Sequence, residues 1–361
     1  MSVVESEALP SDPGSVRDGQ PPRSAGKPPW VAELKRFEKT NPRRVAIQLL
    51  DTLVPYLGLL VLMYMTMYWH LPYLVTLALA FPAAALMVRL FIFFHDCGHG
   101  SFVASPTWRT ILGNVLGVLT FTPYADWCRT HGIHHTTAGN LDRRGIGDVW
   151  TMTLDEYRAS STGRRLAYRF FRNPLVMFGL VPFFSFIVLH RLPSRGSNRA
   201  QVMSVLLTDL ALAGIVVAAA LTVGIRAYLL IQGPVFLIGG PVGVWLFYIQ
   251  HQFDPSYWAR TAEWEPMEAA MRGSSYYKLP PMLQWISGNI GLHHIHHLRP
   301  RIPNYNLQDC LNAVPQLQLP DPLLLGPSLK SVRLKVWDER RKLLLTFREM
   351  SQQIQQSARL A

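Results

Sequence analysis

The chain has 361 residues, of which 49% are hydrophobic and only 16% are charged, and its mean hydropathy is +0.13. A soluble domain has about 25% charged residues, so this composition excludes an ordinary soluble enzyme. The segment 52–88 contains no Asp, Glu, Lys or Arg, and one membrane-spanning helix needs about 20 apolar residues. That segment alone is long enough for two spans, and we interpret the chain as a membrane protein.

The net charge of +12 comes largely from basic residues that lie between the apolar runs. Such residues are typical of cytoplasmic loops that face anionic lipid. The sequence contains no basic motif with interleaved aromatic residues of the kind that binds nucleic acid. We therefore expect that the protein does not bind nucleic acid. Cys97, Cys128 and Cys310 are far apart in the sequence, which argues against a disulfide framework or a thiolate zinc site.

Four apolar runs predict two helical hairpins. The runs 53–69 and 73–94 form the first hairpin, and the runs 200–224 and 227–249 form the second. Each hairpin returns the chain to the side of the membrane on which it starts. Before the first hairpin, no secretory signal is visible.

Two weaker apolar runs, 110–124 and 174–189, are each about 16 residues long, which is too short for a comfortable span. Basic residues lie on both sides of the second run, and positive charge favours the cytoplasmic side. We therefore predict that neither weak run crosses the membrane. The arginines before the second run are Arg143, Arg144, Arg158, Arg164, Arg165, Arg169 and Arg172, and those after it are Arg191, Arg195 and Arg199.

The predicted fold class is all-α, a multi-pass membrane protein with four transmembrane helices in two hairpins, a cytosolic helical cap and both termini in the cytosol. Residues 1–40 are predicted to be a disordered cytosolic tail, and residues 41–320 the membrane domain. Residues 321–361 are predicted to form a charged cytosolic C-terminal helix, because the segment 331–361 has a charged amphipathic pattern.

Nine of the twelve histidines fall in three five-residue windows, 95–99, 131–135 and 293–297. Residues spaced i, i+3 and i+4 share one helix face, so each window can present two or three imidazoles to one point. Neutral imidazole binds iron, zinc, copper and nickel. Eight or nine converging histidines exceed the roughly four ligands of a single zinc ion, which indicates two metal ions.

The third window has one histidine more than the second, and His294 lies about 100° around the helix from His293. We expect His294 to lie behind the ligands or to face solvent. His251 closes the fourth span at the same depth as the windows and is the alternative ninth ligand. His70 and His190 are interpreted as structural. The candidate ligands are His95, His99, His131, His134, His135, His251, His293, His296 and His297.

A ligand set without carboxylates leaves its metals strongly positive, which suits a powerful oxidant. Iron with dioxygen can attack unactivated C–H bonds, whereas zinc has no redox chemistry. Because the windows lie at the ends of spans, the predicted site is at the membrane surface. We therefore expect a lipophilic substrate that enters sideways from the bilayer.

Three segments resemble the membrane fatty-acid desaturases, and in particular the bacterial branch similar to Delta-12 (omega-6) acyl-lipid desaturases. They are HDCGHGSF at 95–102, TPYADWCRTHGIHH at 122–135 and NIGLHHIHHLRPRIPNYNL at 289–307. The resemblance implies that His251 matches a further family histidine and that eight histidines of the windows are metal ligands: His95, His99, His131, His134, His135, His293, His296 and His297. The family's Asn four residues before that histidine is not matched, since Phe247 stands there.

The resemblance implies two iron ions, dioxygen as co-substrate and removal of two vicinal hydrogens from an acyl chain of a membrane lipid, leaving a cis double bond. No HPGG stretch of a fused cytochrome is present, so electrons are expected from a separate ferredoxin or similar donor. The basic pairs Arg143–Arg144 and Arg164–Arg165 fit an acidic donor or lipid headgroups. A bacterial inner membrane with the site on the cytosolic face is the implied location.

Two other classes of protein are alternatives. Carotenoid ketolases or hydroxylases and alkane hydroxylases use related histidine boxes to insert oxygen, but an alkane hydroxylase usually has HE where this chain has His95–Asp96. A membrane metal-binding or transport protein would place polar ligands near the bilayer midplane, whereas these windows lie at the ends of spans.

Overall fold

A computed structural model describes the backbone of residues 28–360 and the side chains of residues 28–356. Its helices, in chain order, are α1 (Pro29–Glu33), α2 (Pro42–Tyr68), α3 (Tyr73–His99), α4 (Pro106–Leu119), α5 (Tyr124–Thr137), α6 (Leu154–Ala159), α7 (Thr162–Phe171), α8 (Val176–Arg191), α9 (Arg199–Thr222), α10 (Ile225–His251), α11 (Pro266–Met271), α12 (Pro281–Ile286), α13 (His293–Leu298), α14 (Asn304–Ala313), α15 (Leu325–Ser328) and α16 (Phe347–Leu360). The strands are β1 (Met152–Thr153), β2 (Tyr277–Lys278), β3 (Leu323–Leu324), β4 (Leu334–Asp338) and β5 (Leu343–Thr346).

The helices α2, α3, α9 and α10 are long and apolar enough to cross a membrane. They contain 24 to 27 residues, or about 36–40 Å at 1.5 Å per residue, which exceeds the roughly 30 Å of the hydrocarbon core. Short connections join α2 to α3 and α9 to α10. The predicted all-α architecture with four membrane helices in two hairpins is confirmed.

Helix α3 is the central span, because it packs against α2, α4 and α10. Leu90, Phe93 and Phe94 on this helix are fully buried. By contrast, α2 and α9 expose large apolar residues such as Leu50 and Leu210. Extended apolar surface of this kind marks contact with a membrane, so α2 and α9 face lipid while α3 forms the core.

The two weaker apolar runs form α4 and α8. Helix α4 has 14 residues, about 21 Å, which is shorter than the hydrocarbon core. Helix α8 contains two π-helical turns and is bent by 62° from α7. Within residues 28–360, the spanning helices therefore number four, or five if α7 and α8 form one broken span.

Contacts after α8 favour four spans. The Asp126 carboxylate near the start of α5 accepts a hydrogen bond from Ser194 Oγ at 2.5 Å. Arg129, also on α5, donates to the backbone carbonyl of Arg195 at 2.8 Å. The segment after α8 thus lies against α5, which comes before α7 in the chain and carries the second histidine window. These contacts favour a path in which α7 and α8 do not cross the membrane.

The N-terminal boundary predicted from the sequence is partly wrong. Residues 1–27 lie outside the described residues, but α1 and the 3₁₀ helix Leu34–Glu38 occupy much of the remaining segment that was predicted to be disordered. Val31 and Leu34 are buried in a cluster with Leu292 and Ile295. This part of the chain is ordered because its apolar side chains cover the core beside the third histidine window.

The prediction of a single C-terminal helix over residues 321–361 is also wrong. The segment begins with β3, α15 and the 3₁₀ helix Leu329–Arg333, continues as the antiparallel hairpin of β4 and β5, and becomes a long helix only at α16. Strand β4 also pairs in parallel with the distant β1. Val336 and Leu345 are buried with Met152 and Tyr168, so tertiary burial and strand pairing override the local helical pattern.

Four spans predict that Arg144→Cys and Arg195→Cys are labelled by a membrane-impermeant thiol reagent from the same side of the membrane, because α8 does not cross between them. His70→Cys, in the connection between α2 and α3, should be labelled from the opposite side. The measurement is labelling of inside-out and right-side-out vesicles in a Cys128→Ser background. Labelling of positions 144 and 195 from opposite sides would establish α7 and α8 as a fifth span.

Candidate metal centre

Helix α3 brings the first histidine window to the end of a span. His95 and His99 are one turn apart on the helix, so their rings share a face. Gly100 then adopts a φ of 67° and ends the helix. A Cβ at this position would lie 2.4 Å from Nη1 of Arg109. Because the flexible end of the Arg109 side chain can move away, the turn needs glycine for its conformation rather than for space.

The nine predicted ligands form two adjacent groups. Within each group, one ligand atom from every histidine lies within 4.8 Å of the others, and each group could hold a metal ion. The first group contains His95, His99, His131, His135 and His296, and the second contains His134, His251, His293 and His297. Helices α5 and α13 each contribute histidines to both groups.

Imidazole nitrogens face one another at short distances in both groups. Nε2 of His131 is 3.0 Å from Nε2 of His99 and 3.1 Å from Nε2 of His135. In the second group, Nε2 of His251 is 3.1 Å from the Nε2 atoms of His134 and His293. Metal–nitrogen bonds of about 2.1 Å would place neighbouring ligands of one ion about 3 Å apart. The spacing in both groups fits a bound metal.

The chemistry of these side chains also fits a metal. Burial lowers the pKa of His131, His135, His293, His296 and His297 well below the usual range of histidine, and nearby histidines lower each pKa further. Neutral imidazole keeps the lone pair that a metal needs. Nε2 of His297 is buried and has no hydrogen-bond partner among the described residues. A bound metal would give this nitrogen the partner that a buried polar atom needs.

A carboxylate orients the first group from outside. Oδ1 of Asp96 is 3.1 Å from Nδ1 of His95. Oδ2 of Asp96 accepts hydrogen bonds from the backbone nitrogen and side-chain Nδ2 of Asn304 at 2.7 and 2.9 Å. Gln48 of α2 donates to Oδ1 of Asn304 at 2.8 Å. This chain of contacts fixes the His95 ring through residues from three separate helices.

The second group has similar outer contacts. Oδ1 of Asp148 is 2.9 Å from Nδ1 of His134, and Nδ1 of His251 is 3.0 Å from the Gly273 carbonyl. These contacts leave Nε2 of both rings directed into the group. Asp148 was not predicted from the sequence, because it lies in a loop 14 residues after His134 and belongs to none of the histidine windows.

His294 lies apart from both groups. Its side chain is buried rather than facing solvent, and Nε2 is 2.9 Å from the carbonyl of Leu317. Burial lowers the pKa of His294 to about 4, so this ring is also neutral at pH 7. The structure brings His251, and not His294, into the second group.

A cavity of about 460 Å³ opens beside both histidine groups. His95 and His131 of the first group and His293 of the second lie in its wall. His190, interpreted from the sequence as structural, also lines it. Most of the remaining wall is apolar and comes from α3, α8 and α10, including Val88, Phe91, Val181, Phe186, Val244 and Leu246.

Comparison with known proteins identifies the family. The family model for fatty acid desaturases matches residues 68–324. The chain belongs to the fatty acid desaturase family. A fatty acid desaturase of Bacillus subtilis is 43% identical over 316 residues, which cover 88% of this chain and 89% of that protein. This desaturase is therefore an oxidoreductase, and the expected family resemblance is confirmed.

More distant relatives carry more specific names. The sn-1 oleoyl-lipid 12-desaturase of Synechocystis is 26% identical over 223 residues, 60% of this chain and 62% of that protein. The chloroplastic sn-2 acyl-lipid omega-3 desaturase (ferredoxin) of Arabidopsis thaliana is 26% identical over 239 residues, 62% of this chain and 51% of that protein. These matches favour neither the oxygen-inserting enzymes nor the metal transport protein considered above.

We predict that Asp148→Ala weakens metal binding about 10- to 100-fold, because loss of an outer contact frees the His134 ring. The measurement is metal per chain by elemental analysis after dialysis against graded chelator. Asp155→Ala is the matched control, since the Asp155 side chain is 62% exposed and pairs only with Arg158 among the ion pairs of the described residues. Equal metal loss in both variants would contradict a positioning role for Asp148.

Proposed function

We propose that this enzyme introduces a cis double bond into a fatty acyl chain of a membrane lipid, in an oxygen-dependent reaction of the Delta-12 (omega-6) type. The observation that carries the proposal is the largely apolar cavity in contact with both histidine groups. Ligand cavities of about 300–1,000 Å³ with apolar walls and few polar groups suit small apolar ligands. An acyl chain in this cavity would pass directly beside the histidines.

The nine histidines of the two groups are the proposed ligands of two iron ions. Bound iron would supply the redox chemistry that activates dioxygen to remove hydrogen from an unactivated methylene. Asp96 and Asp148 hold His95 and His134 by their outer nitrogens. Rings fixed in this way keep a ligand set in place.

The cavity walls would position the substrate. Phe91 and Phe186 pack edge to face at a centroid distance of 6.2 Å, and both line the cavity. Phe247 also lines it, with its ring 5.5 Å from that of His134. These side chains exclude water and offer no hydrogen bonds, so an acyl chain would be held by its shape. A mid-chain methylene rather than a polar group is then presented to the histidines.

The proposed electron donor is a separate ferredoxin or similar carrier. The Arabidopsis thaliana relative has ferredoxin in its name, and this chain has a strong positive charge. Of the two basic pairs, Arg144 contacts Glu156 and Arg165 donates to the carbonyl of Tyr157. Arg143 and Arg164 are exposed, and their charges suit an acidic carrier on the proposed cytosolic face of a bacterial inner membrane.

The test is conversion of labelled oleate in a bacterial host that lacks polyunsaturated lipids. We expect a diene two hydrogens lighter than the fed chain, with a double bond at carbon 12, strict dependence on oxygen, and no ¹⁸O from labelled dioxygen in the lipid. Mass spectrometry of the fatty-acid esters gives mass and bond position.

The matched variants for this assay are His135→Ala and His70→Ala. His135 belongs to the first group, so its loss should abolish both product and metal binding. His70 lies in the connection after α2, and its variant should keep most of the activity. A product that carries an added oxygen atom would replace desaturation with oxygen insertion.

Gly243 provides a test of where the acyl chain lies. This glycine lines the cavity, and a Cβ added to it would meet no atom within 4 Å. We expect Gly243→Leu to lower activity on 18-carbon chains by at least about tenfold, the effect that a methylene or two has in an apolar pocket.

Gly233→Leu is the control, because Gly233 lies on the same helix, has the same free space and is not part of the cavity wall. Activity is measured as conversion of membrane lipid, and thermal unfolding checks that both variants fold. Full activity of Gly243→Leu would place the acyl chain elsewhere.

A further inference from the structure

A second cavity, of about 500 Å³, lies in the C-terminal part of the chain and is separate from the cavity beside the histidines. The position of this cavity relative to the membrane follows from contacts between its surroundings and the end of α10. The hydroxyl of Tyr248, three residues before the end of that span, donates to the Ser331 carbonyl at 2.9 Å. The Tyr277 hydroxyl, 3.5 Å from Nε1 of Trp245, is 3.1 Å from Ser328 Oγ. Tyr248 is buried within one turn of the end of α10, and the 27 residues of α10 exceed the roughly 30 Å of the hydrocarbon core, so the segment 328–334 lies near the end of a span, at the membrane surface.

Three exposed cations, Lys330, Arg333 and Arg341, line this cavity. Two carboxylates, Asp254 and Glu349, line it as well. Glu349 is already engaged, since its Oε2 accepts a hydrogen bond from the backbone nitrogen of Thr346 at 2.8 Å. This hydrogen bond directs the Glu349 carboxylate towards the backbone without removing its charge, so three cations and two carboxylates leave the cavity with a net charge of +1.

Apolar side chains lie next to the cations. Leu329 lines the cavity and is 62% exposed, and the neighbouring Leu324 and Leu325 are 48% and 38% exposed. Leu334 and Leu344 form part of the cavity wall. Basic residues attract anionic lipid, and apolar residues at the same depth contact acyl chains.

We propose that this cavity binds the headgroup phosphate of an anionic phospholipid, with the acyl chains of that lipid against the exposed leucines. A zwitterionic lipid carries no net charge to match the net positive charge of the cavity. Free phosphate has no apolar part to cover the leucines. The site therefore selects an anionic phospholipid over both.

The test is native mass spectrometry of the purified full-length protein titrated with phosphatidylglycerol and, separately, with phosphatidylcholine. The variant Arg333→Gln/Arg341→Gln removes two cations from the cavity. The control Arg340→Gln/Lys342→Gln removes the same charge from the adjoining exposed positions of the β4–β5 turn, which are not part of the lining. We expect phosphatidylglycerol affinity to fall about fivefold per cavity cation, or about 25-fold, with a far smaller change in the control.

Three results would overturn the proposal. Equal loss in the test and control variants would show diffuse attraction rather than a site. Equal affinity of the wild type for both lipids would remove the charge selectivity, and displacement of phosphatidylglycerol by equimolar inorganic phosphate would make the cavity a simple anion site. Retention of phosphatidylglycerol binding in Arg333→Lys/Arg341→Lys, which keeps both charges, would support the proposal. If Arg333→Gln/Arg341→Gln does not fold, Lys330→Gln replaces it, and its phosphatidylglycerol affinity is expected to fall about fivefold. These readouts are independent of desaturase activity.

Discussion

Nine imidazoles can converge on two points only if their rings stay neutral, because charged rings 3 Å apart would repel one another strongly. Burial lowers the pKa of His131, His135, His293, His296 and His297 and so favours their neutral form, and the helices around the histidines supply the burial. Helix α3 is the most enclosed of the spans, and it ends in the first window. Helices α5, α10 and α13 bring the other seven histidines to that end.

Neutral rings also need a fixed orientation, and the outer contacts provide it. Asp96 and Asp148 each hold one histidine by Nδ1, and the carbonyl of Gly273 holds His251. Each of the three comes from a different part of the chain. The two carboxylates lie outside the groups rather than in them, so among the described residues both groups consist of imidazoles alone.

The spans and the histidine windows could be predicted because both are local patterns: a run without charge between 52 and 88, and imidazoles spaced by one helical turn. Asp148 and Gly273 could not be predicted, since only the fold brings them to the histidines. The order around Val31 and the hairpin containing Val336 were missed for the same reason. Their partners, Ile295 and Met152, lie far away in the sequence.

The division of α5 and α13 between the two groups has a consequence for how the centre assembles. His134 and His135 are neighbours on α5 but belong to different groups, as do His296 and His297 on α13. The His135 and His297 rings, one from each group, stack at a centroid distance of 4.2 Å. An ion in one group would therefore restrain the backbone that presents ligands to the other. Binding of the first ion would therefore reduce the conformational entropy that the protein loses when the second ion binds. We expect the two ions to bind cooperatively, with little protein that holds a single ion.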